Sequence, residues 1–142
     1  DPEFSANRQK AMALLEEESS LQEIVRLVGR DSLSEEDQLK LEAARSIRED
    51  YLQQNAFHEE DTYAPLEKQN LMLKMVLAFY EEGLRGLANG VYLDKIEKLD
   101  VREKIARAKY LAEEDIGQIN DIIAEVKQNI DDLISEGGIL DA

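Results

Sequence analysis

Apolar side chains recur at helical spacing in several stretches of the chain, separated by short polar or glycine-containing segments. The first stretch predicts a helix over residues 6–28 that ends at Gly29, since glycine readily adopts the left-handed conformation that follows many helices. A second helix is expected to begin after Ser34 and to fade near Gln53 and Gln54. Its apolar stripe consists of Leu39, Ala43, Ala44, Ile47 and Tyr51.

A polar loop over residues 54–64 precedes the most apolar part of the chain. Pro65 is expected to open the next helix, because proline suits the first helical position, and Gly90 is expected to end it. Apolar side chains cover more than half of this helix's circumference, which predicts that it is the most buried element. Two shorter helices are expected next, over residues 93–99 and 101–109.

The C-terminal stretch has the pattern of one long amphipathic helix. Asp100 is expected to cap the preceding short helix, over residues 101–109. The long helix is expected over residues 112–136, with Gly137 and Gly138 ending it. Its apolar positions alternate between steps of three and four residues, which is typical of a heptad seam. Such a seam packs either on the central helix of the same domain or on a helix of another molecule. The seam comprises Ile116, Ile119, Ile123, Val126, Ile130 and Leu133.

Together these elements predict an all-α fold, a single-domain bundle of about five to six helices. A chain of 142 residues can enclose one hydrophobic core, and a composition of 43% hydrophobic and 35% charged residues is that of a globular protein. No alternating strand pattern occurs. Residues 1–4 fit none of the helical patterns and are expected to be a remnant of an expression vector, which leaves residues 5–142 as the domain.

Acidic residues dominate the charge of the chain. The 32 Asp and Glu residues outnumber 17 Lys and Arg residues, which gives a formal net charge of -15. This charge repels phosphate backbones and anionic headgroups, and so argues against nucleic acid and membrane surfaces as partners. No apolar run reaches the roughly 18 residues of a membrane span, and no signal-peptide pattern opens the chain. A cytoplasmic protein without direct membrane insertion is therefore expected.

The usual sequence signatures of catalysis are missing. None of the 7 glycines belongs to the G-x-x-x-x-G-K-[ST] loop that holds nucleotide phosphates. His58 is the only histidine and cysteine is absent, so a multi-histidine zinc site and a thiolate site are both excluded. His58 is interpreted as a loop residue, and the abundant carboxylates as solvated helix faces. No catalytic residue, metal or cofactor is therefore assigned to this chain.

Two motifs flank the second predicted helix. The first is an acidic turn, D-S-L-S-E-E-D at residues 31–37, whose central serine has the position of an N-cap and whose acids lie in the first helical turn. The second is the loop L-Q-Q-N-A-F at residues 52–57. V-R-L-V-G at residues 25–29, D-T-Y at 61–63 and V-R-E-K-I-A-R at 101–107 occur with them in order. This set resembles the C-terminal domain of the alpha chain, the catalytic subunit, of V-type and A-type ATP synthases.

The resemblance covers residues 5–109 closely and the last helix less specifically. In this family the alpha chain makes or hydrolyses ATP, with ADP and Mg²⁺, in a central nucleotide-binding domain whose phosphate loop is missing here. The resemblance thus implies a domain with no activity alone, peripheral to the membrane through a complex that transports H⁺ or Na⁺. It also implies two partners, the central-stalk rotor subunit and the neighbouring B subunits of the catalytic hexamer.

Two groups of residues acquire roles through this resemblance. Phe57 is implied to lie beside the adenine ring in the full alpha chain; its ring could also close the loop onto the bundle, and the two roles are compatible. The acidic turn is implied to press on the coiled-coil rotor and relay conformational change, whether through charge, through bulk or only through its caps. The residues implied for this contact are Asp31, Leu33, Ser34, Glu35, Glu36 and Asp37.

Two other classes of function are compatible with the residues alone. A free-standing helical adaptor would bind a partner through its C-terminal heptad helix, and a helical enzyme would use carboxylates in a substrate cleft. A reading frame that continues upstream of Ser5 into a phosphate loop would favour the ATP synthase alpha chain, whereas a start codon there would favour the adaptor.

Overall fold

The computed structural model describes residues 2–52 and 66–141, with side chains through residue 137. Within these ranges the chain is helical apart from short turns and contains no strand, which confirms the all-α fold. The predicted polar loop with His58 lies outside the described residues. The helices are α1 (Pro2–Val28), α2 (Glu35–Ser46), α3 (Leu66–Ala88), α4 (Leu93–Glu97), α5 (Val101–Arg107) and α6 (Gln118–Asp141).

The first helix begins earlier than the apolar pattern predicted. α1 starts at Pro2. Proline suits this position because the first N–H groups of a helix have no partner within the helix, so the N–H that proline lacks is not missed. Phe4 packs against the core, and Lys74 Nζ lies 3.4 Å from Glu3 Oε1. Residues 2–4 therefore belong to the fold, contrary to the expectation, while their origin in a vector stays a prediction.

The second helix begins at the predicted cap. Ser34 Oγ accepts a hydrogen bond from the backbone N–H of Asp37 at 3.1 Å, as an N-cap serine does. Beyond Ser46 the helix widens into a π-helical turn, Ile47–Tyr51. Ile47 and Asp50 are both buried in this turn, with 1% and 8% of their surface exposed.

The third helix is the centre of the bundle, as predicted. α3 contacts α1, α2, α4 and α6, and its contact with α6 is the most extensive in the domain. A glycine permits the close approach of α2, because a Cβ on Gly83 would lie 2.8 Å from Leu39 Cδ2. The fully buried side chains of α3 are Met72, Leu73, Met75 and Val76.

The heptad seam of the last helix packs inside the domain. Ile119, Val126 and Ile130 are each 0% exposed, and Ile130 lies against Gly86 of α3. The intramolecular alternative is thus confirmed. The expected bounds were wrong: α6 begins at Gln118 after a 3₁₀ turn, Glu113–Asp115, and continues to Asp141.

Two predictions were wrong, the helix end at Gly137 and Gly138 and the cap at Asp100, because the backbone does not adopt the angles that they require. Gly29 and Gly90 have φ of 92° and 87° and end their helices, whereas Gly137 has no positive φ and lies within α6. Asp100 precedes α5 with the helical angles φ -61° and ψ -27°, and its side chain makes no capping hydrogen bond. Ser34, by contrast, has the extended ψ of 159° that capping requires.

Candidate functional site

The acidic turn forms the tip of a helical hairpin between α1 and α2. Gly29 ends α1 in the left-handed region, and one 3₁₀ turn, Arg30–Ser32, reverses the chain. Ser32 Oγ donates a hydrogen bond to the carbonyl of Gly29 at 2.7 Å, and the backbone N–H of Leu33 donates to the carbonyl of Arg30 at 3.0 Å. The tip is therefore a hydrogen-bonded structure rather than a loose connection.

The residues of the turn divide into an inner and an outer set. Leu33 is only 8% exposed, and Gln38 Nε2 donates to its carbonyl at 3.0 Å, so Leu33 supports the turn from inside and offers a partner little surface. Asp37 is half-buried. The exposed residues are Asp31, Ser32, Ser34, Glu35 and Glu36.

Glu35 has a structural role that the sequence did not indicate. Its Oε2 accepts a hydrogen bond of 2.6 Å from the backbone N–H of Leu93, the first residue of α4. This carboxylate thus satisfies one of the free N–H groups at the start of a helix 58 residues away. A charge-assisted bond of this kind fastens the turn to α4.

A second contact fastens the turn to the other end of α4. Arg30 Nη2 lies 2.5 Å from Glu97 Oε1 and 3.7 Å from Glu42 Oε1. Glu42 also pairs with Arg45 at 3.1 Å and Arg102 at 2.7 Å. The turn, α2, α4 and the start of α5 are therefore held together by one ion-pair network.

The acids of the turn consequently differ in whether they can bind an external partner. Glu35 is bound to α4, and Asp37 Oδ1 lies 3.8 Å from Lys40 Nζ. Within residues 2–52 and 66–141, the side chains of Asp31 and Glu36 make no ion pair or hydrogen bond. These two exposed carboxylates are the ones that an external partner can engage without breaking an internal contact.

The two arms of the hairpin are tied together along their length. Arg48 donates two hydrogen bonds to Glu18, at 3.1 and 2.6 Å, and Lys40 Nζ lies 3.1 Å from Glu17 Oε2. The hydrogen bond with Glu17 raises the pKa of Lys40. Because Glu18 is largely buried, its bidentate pair with Arg48 restrains α1 against the π-helical turn that continues α2 better than an exposed pair would.

A separate polar cluster lies at the opposite end of α2, around the π-helical turn. Lys68 is 2% exposed, and its Nζ donates to the carbonyls of Lys109 and Leu111, both at 2.9 Å. Burial lowers the pKa of Lys68. Lys109 in turn donates to the carbonyl of Glu49 at 3.1 Å, with Asp50 Oδ1 at 3.9 Å from its Nζ. Burial raises the pKa of Asp50, while a hydrogen bond with Ser46 opposes that rise.

These buried groups join separate segments of the chain. Each buried charge faces carbonyls or an opposite charge, which is the arrangement expected of structural polar groups. In the part of the chain that the structure describes, no group of three or more His, Cys, Asp or Glu residues is placed to hold a metal ion. None of the described helices is long and apolar enough to cross a membrane. Phe57, the implied adenine neighbour, lies outside the described residues.

Comparison with known proteins identifies a group of close relatives. Residues 1–97 match the family described as the C-terminal domain of V and A type ATP synthase. The chain is 66% identical over 135 residues to the V-type ATP synthase alpha chain 1 of Clostridium tetani, a match covering 95% of this chain and 23% of that protein. It is 60% identical over 140 residues to the V-type ATP synthase alpha chain of Clostridium perfringens, covering 99% of this chain and 24% of the relative. The chain therefore spans about a quarter of the length of these relatives.

The hydrogen bond between Glu35 and Leu93 predicts unequal effects of neighbouring acids on stability. Glu35→Ala should lower the free energy of unfolding by about 1 to 2 kcal/mol, since it leaves a partly buried N–H without its acceptor. Glu36→Ala is the matched control: it removes the same charge from the same helical turn and should cost only about 0.3 kcal/mol. Urea unfolding followed by circular dichroism would measure both. Equal losses for the two variants would contradict the structural role of Glu35.

The raised pKa of Asp50 predicts a dependence of stability on pH. The folded state binds the Asp50 proton more tightly than the unfolded state, so the contribution of this residue is greatest below its usual pKa of about 4. That contribution should decline as pH rises through the raised folded pKa. Asp50→Asn should therefore gain stability relative to the unsubstituted chain as pH rises above the usual pKa of about 4. Glu114→Gln, which makes the same charge change at an exposed site, is the control, and parallel pH profiles for both variants would refute the prediction.

Proposed function

The chain belongs to the family of C-terminal domains of V- and A-type ATP synthase alpha chains, and we propose that its acidic turn meets the central rotor of the parent complex. The domain would press on the rotor subunit and relay conformational change between it and the rest of the alpha chain. The observation that carries this proposal is the turn itself, in which Asp31 and Glu36 are exposed and form no ion pair with any described residue, while their neighbours fix its shape.

The contacts of the turn support a mechanical role. Ser34 and Glu35 join it to the starts of α2 and α4, and Arg30 joins it to the end of α4. α2 is packed so closely on α3 that Leu39 fills the space beside Gly83. Because close-packed interiors deform little, a displacement of the turn would be passed to the whole bundle.

The parent complex supplies the remaining parts of the proposal. The alpha chain would bind ATP or ADP with Mg²⁺ through a phosphate loop that the present 142 residues lack, and Phe57 would lie beside the adenine there. Neighbouring B subunits would complete the catalytic hexamer, on the cytoplasmic side of a membrane across which H⁺ or Na⁺ is moved. The domain itself would have no catalytic activity.

The adaptor hypothesis loses the surface on which it was based. The apolar seam of α6 is the part that would bind a foreign helix, yet Ile119, Val126 and Ile130 have no exposed surface. A partner could reach them only if α6 left α3, which would open the largest contact of the bundle.

Rotor contact predicts a specific crosslink in the assembled complex. A cysteine at Glu36 should form a disulfide with a cysteine placed on the facing rotor helix during ATP turnover, because the proposal brings these surfaces together. A cysteine at Lys127, an exposed position on α6, is the control and should give no such product. Gel electrophoresis without reductant would detect the crosslinked pair. Absence of a Glu36 crosslink at every rotor position and stage of turnover would remove the proposal.

The missing phosphate loop predicts that the 142-residue chain has no ATPase activity. Without that loop and without Mg²⁺ ligands contributed by it, the chain cannot position a γ-phosphate for transfer. The measurement is phosphate release with ATP and Mg²⁺, with the assembled complex as the positive control. Magnesium-dependent release that persists through repurification of the chain would show the prediction to be wrong.

A further inference from the structure

The last two turns of α1 expose an aliphatic stripe. Ile24, Leu27 and Val28 are 40%, 74% and 67% exposed, and their spacing of three and four residues places them on one side of the helix. The apolar side chains of α1 that are buried in the bundle, Ala11 and Leu14, lie in the first half of the helix. Single exposed aliphatic residues are common on protein surfaces. Three neighbouring ones at the end of a helix form an apolar patch, and the hydration of such a patch is unfavourable.

This stripe leads along the chain directly into the acidic turn, whose Asp31 and Glu36 are exposed. Gly29 follows Val28 directly, and the backbone N–H of Gly29 still bonds to the carbonyl of Val25 at 2.9 Å, so the turn starts on the last turn of α1. Asp31 follows two residues later, and Glu36 lies in the first turn of α2. The end of α1 and the turn that follows it thus carry exposed aliphatic side chains and two exposed carboxylates within 13 residues of the sequence.

Nearby basic residues do not cancel these carboxylates. Arg26 lies 3.4 Å from Glu23, and Arg30 is held by Glu97 and Glu42. The positive charges of this region are therefore engaged by other acids. A partner would encounter a surface that is apolar on one side and negative on the other.

We propose that Ile24, Leu27 and Val28 form one docking surface with Asp31 and Glu36, and that its partner is an amphipathic helix whose aliphatic side chains are flanked by Lys or Arg. The inference rests on the proposed function and specifies the chemistry of the rotor segment. Aliphatic contact supplies the attraction that persists at high salt, while the carboxylates orient the partner helix and give the contact a salt dependence.

Charge separates this partner from two other occupants of an apolar stripe. A second copy of the chain would bring the same unpaired carboxylates face to face, because a two-fold interface pairs a surface with itself. An anionic lipid surface would be repelled by a chain of formal net charge -15. A helix with basic flanks is attracted by the same charges.

The test compares rotor binding by catalytic hexamers that carry single substitutions in the alpha chain. Leu27→Gln should raise the Kd for the rotor subunit about tenfold without changing the dependence of Kd on salt concentration. Glu36→Gln should raise Kd by a few-fold and make it less dependent on salt. Met12→Gln is the matched control, because Met12 is also exposed on α1, at 56%, and lies about three turns away from the stripe. The Kd of this variant for the rotor subunit should not change.

The outcomes distinguish this inference from the proposed function. If Glu36→Gln weakens binding and a Glu36 cysteine crosslinks to the rotor while Leu27→Gln behaves like Met12→Gln, the aliphatic part is overturned and rotor contact stands. If no substitution in the turn or the stripe alters rotor binding and no crosslink forms, the proposed function falls as well. Self-association of the alpha chain, or binding to phosphatidylserine vesicles, that Leu27→Gln abolishes without any change in rotor binding would also overturn the inference, in favour of those occupants.

Discussion

The domain depends on the burial of α3 on several sides. A helix that is apolar over most of its circumference cannot stay in water, so α1, α2, α4 and α6 must all pack on it. Gly83 and Gly86 let three of these contacts become close, with Leu39 of α2 beside Gly83 and with Ile96 of α4 and Ile130 of α6 beside Gly86. The positions of the remaining helices, and of the turn between α1 and α2, follow from this arrangement.

Elements governed by local chemistry could be predicted from the sequence. The cap at Ser34 and the left-handed ends at Gly29 and Gly90 each depend on residues within one or two helical turns. The apolar spacing of α6 was also visible in the sequence, but its packing inside the domain was one of two alternatives until the structure decided it. The Asp100 cap and the stop at Gly137 and Gly138 were equally plausible locally, but the backbone angles required for them did not occur. Residue type permits a cap or a stop, whereas packing decides whether the backbone adopts it.

The candidate site could be predicted only in part, because its organisation is a property of distant pairs. The sequence indicated an acidic turn, but nothing in it distinguishes Glu35, Glu36 and Asp37 from one another. Glu35 differs from Glu36 only because the start of α4, 58 residues away, lies within reach of its side chain. Arg30 and Glu97 are separated by 67 residues, so no pattern in the sequence could have paired them. In a chain with such an excess of acids, the structure is what separates carboxylates that hold the fold from those left to a partner.

The π-helical turn at Ile47–Tyr51 has a consequence for how this segment can vary in length. Such a turn contains about one residue more than an α-helical turn, and it is commonly the trace of a single-residue insertion into a regular helix. Loss of one residue here would restore α-helical geometry within the turn itself, which is where Asp50 approaches Lys109. A relative shorter by one residue at this point is therefore expected to differ at the position of Asp50 rather than in α2 before it.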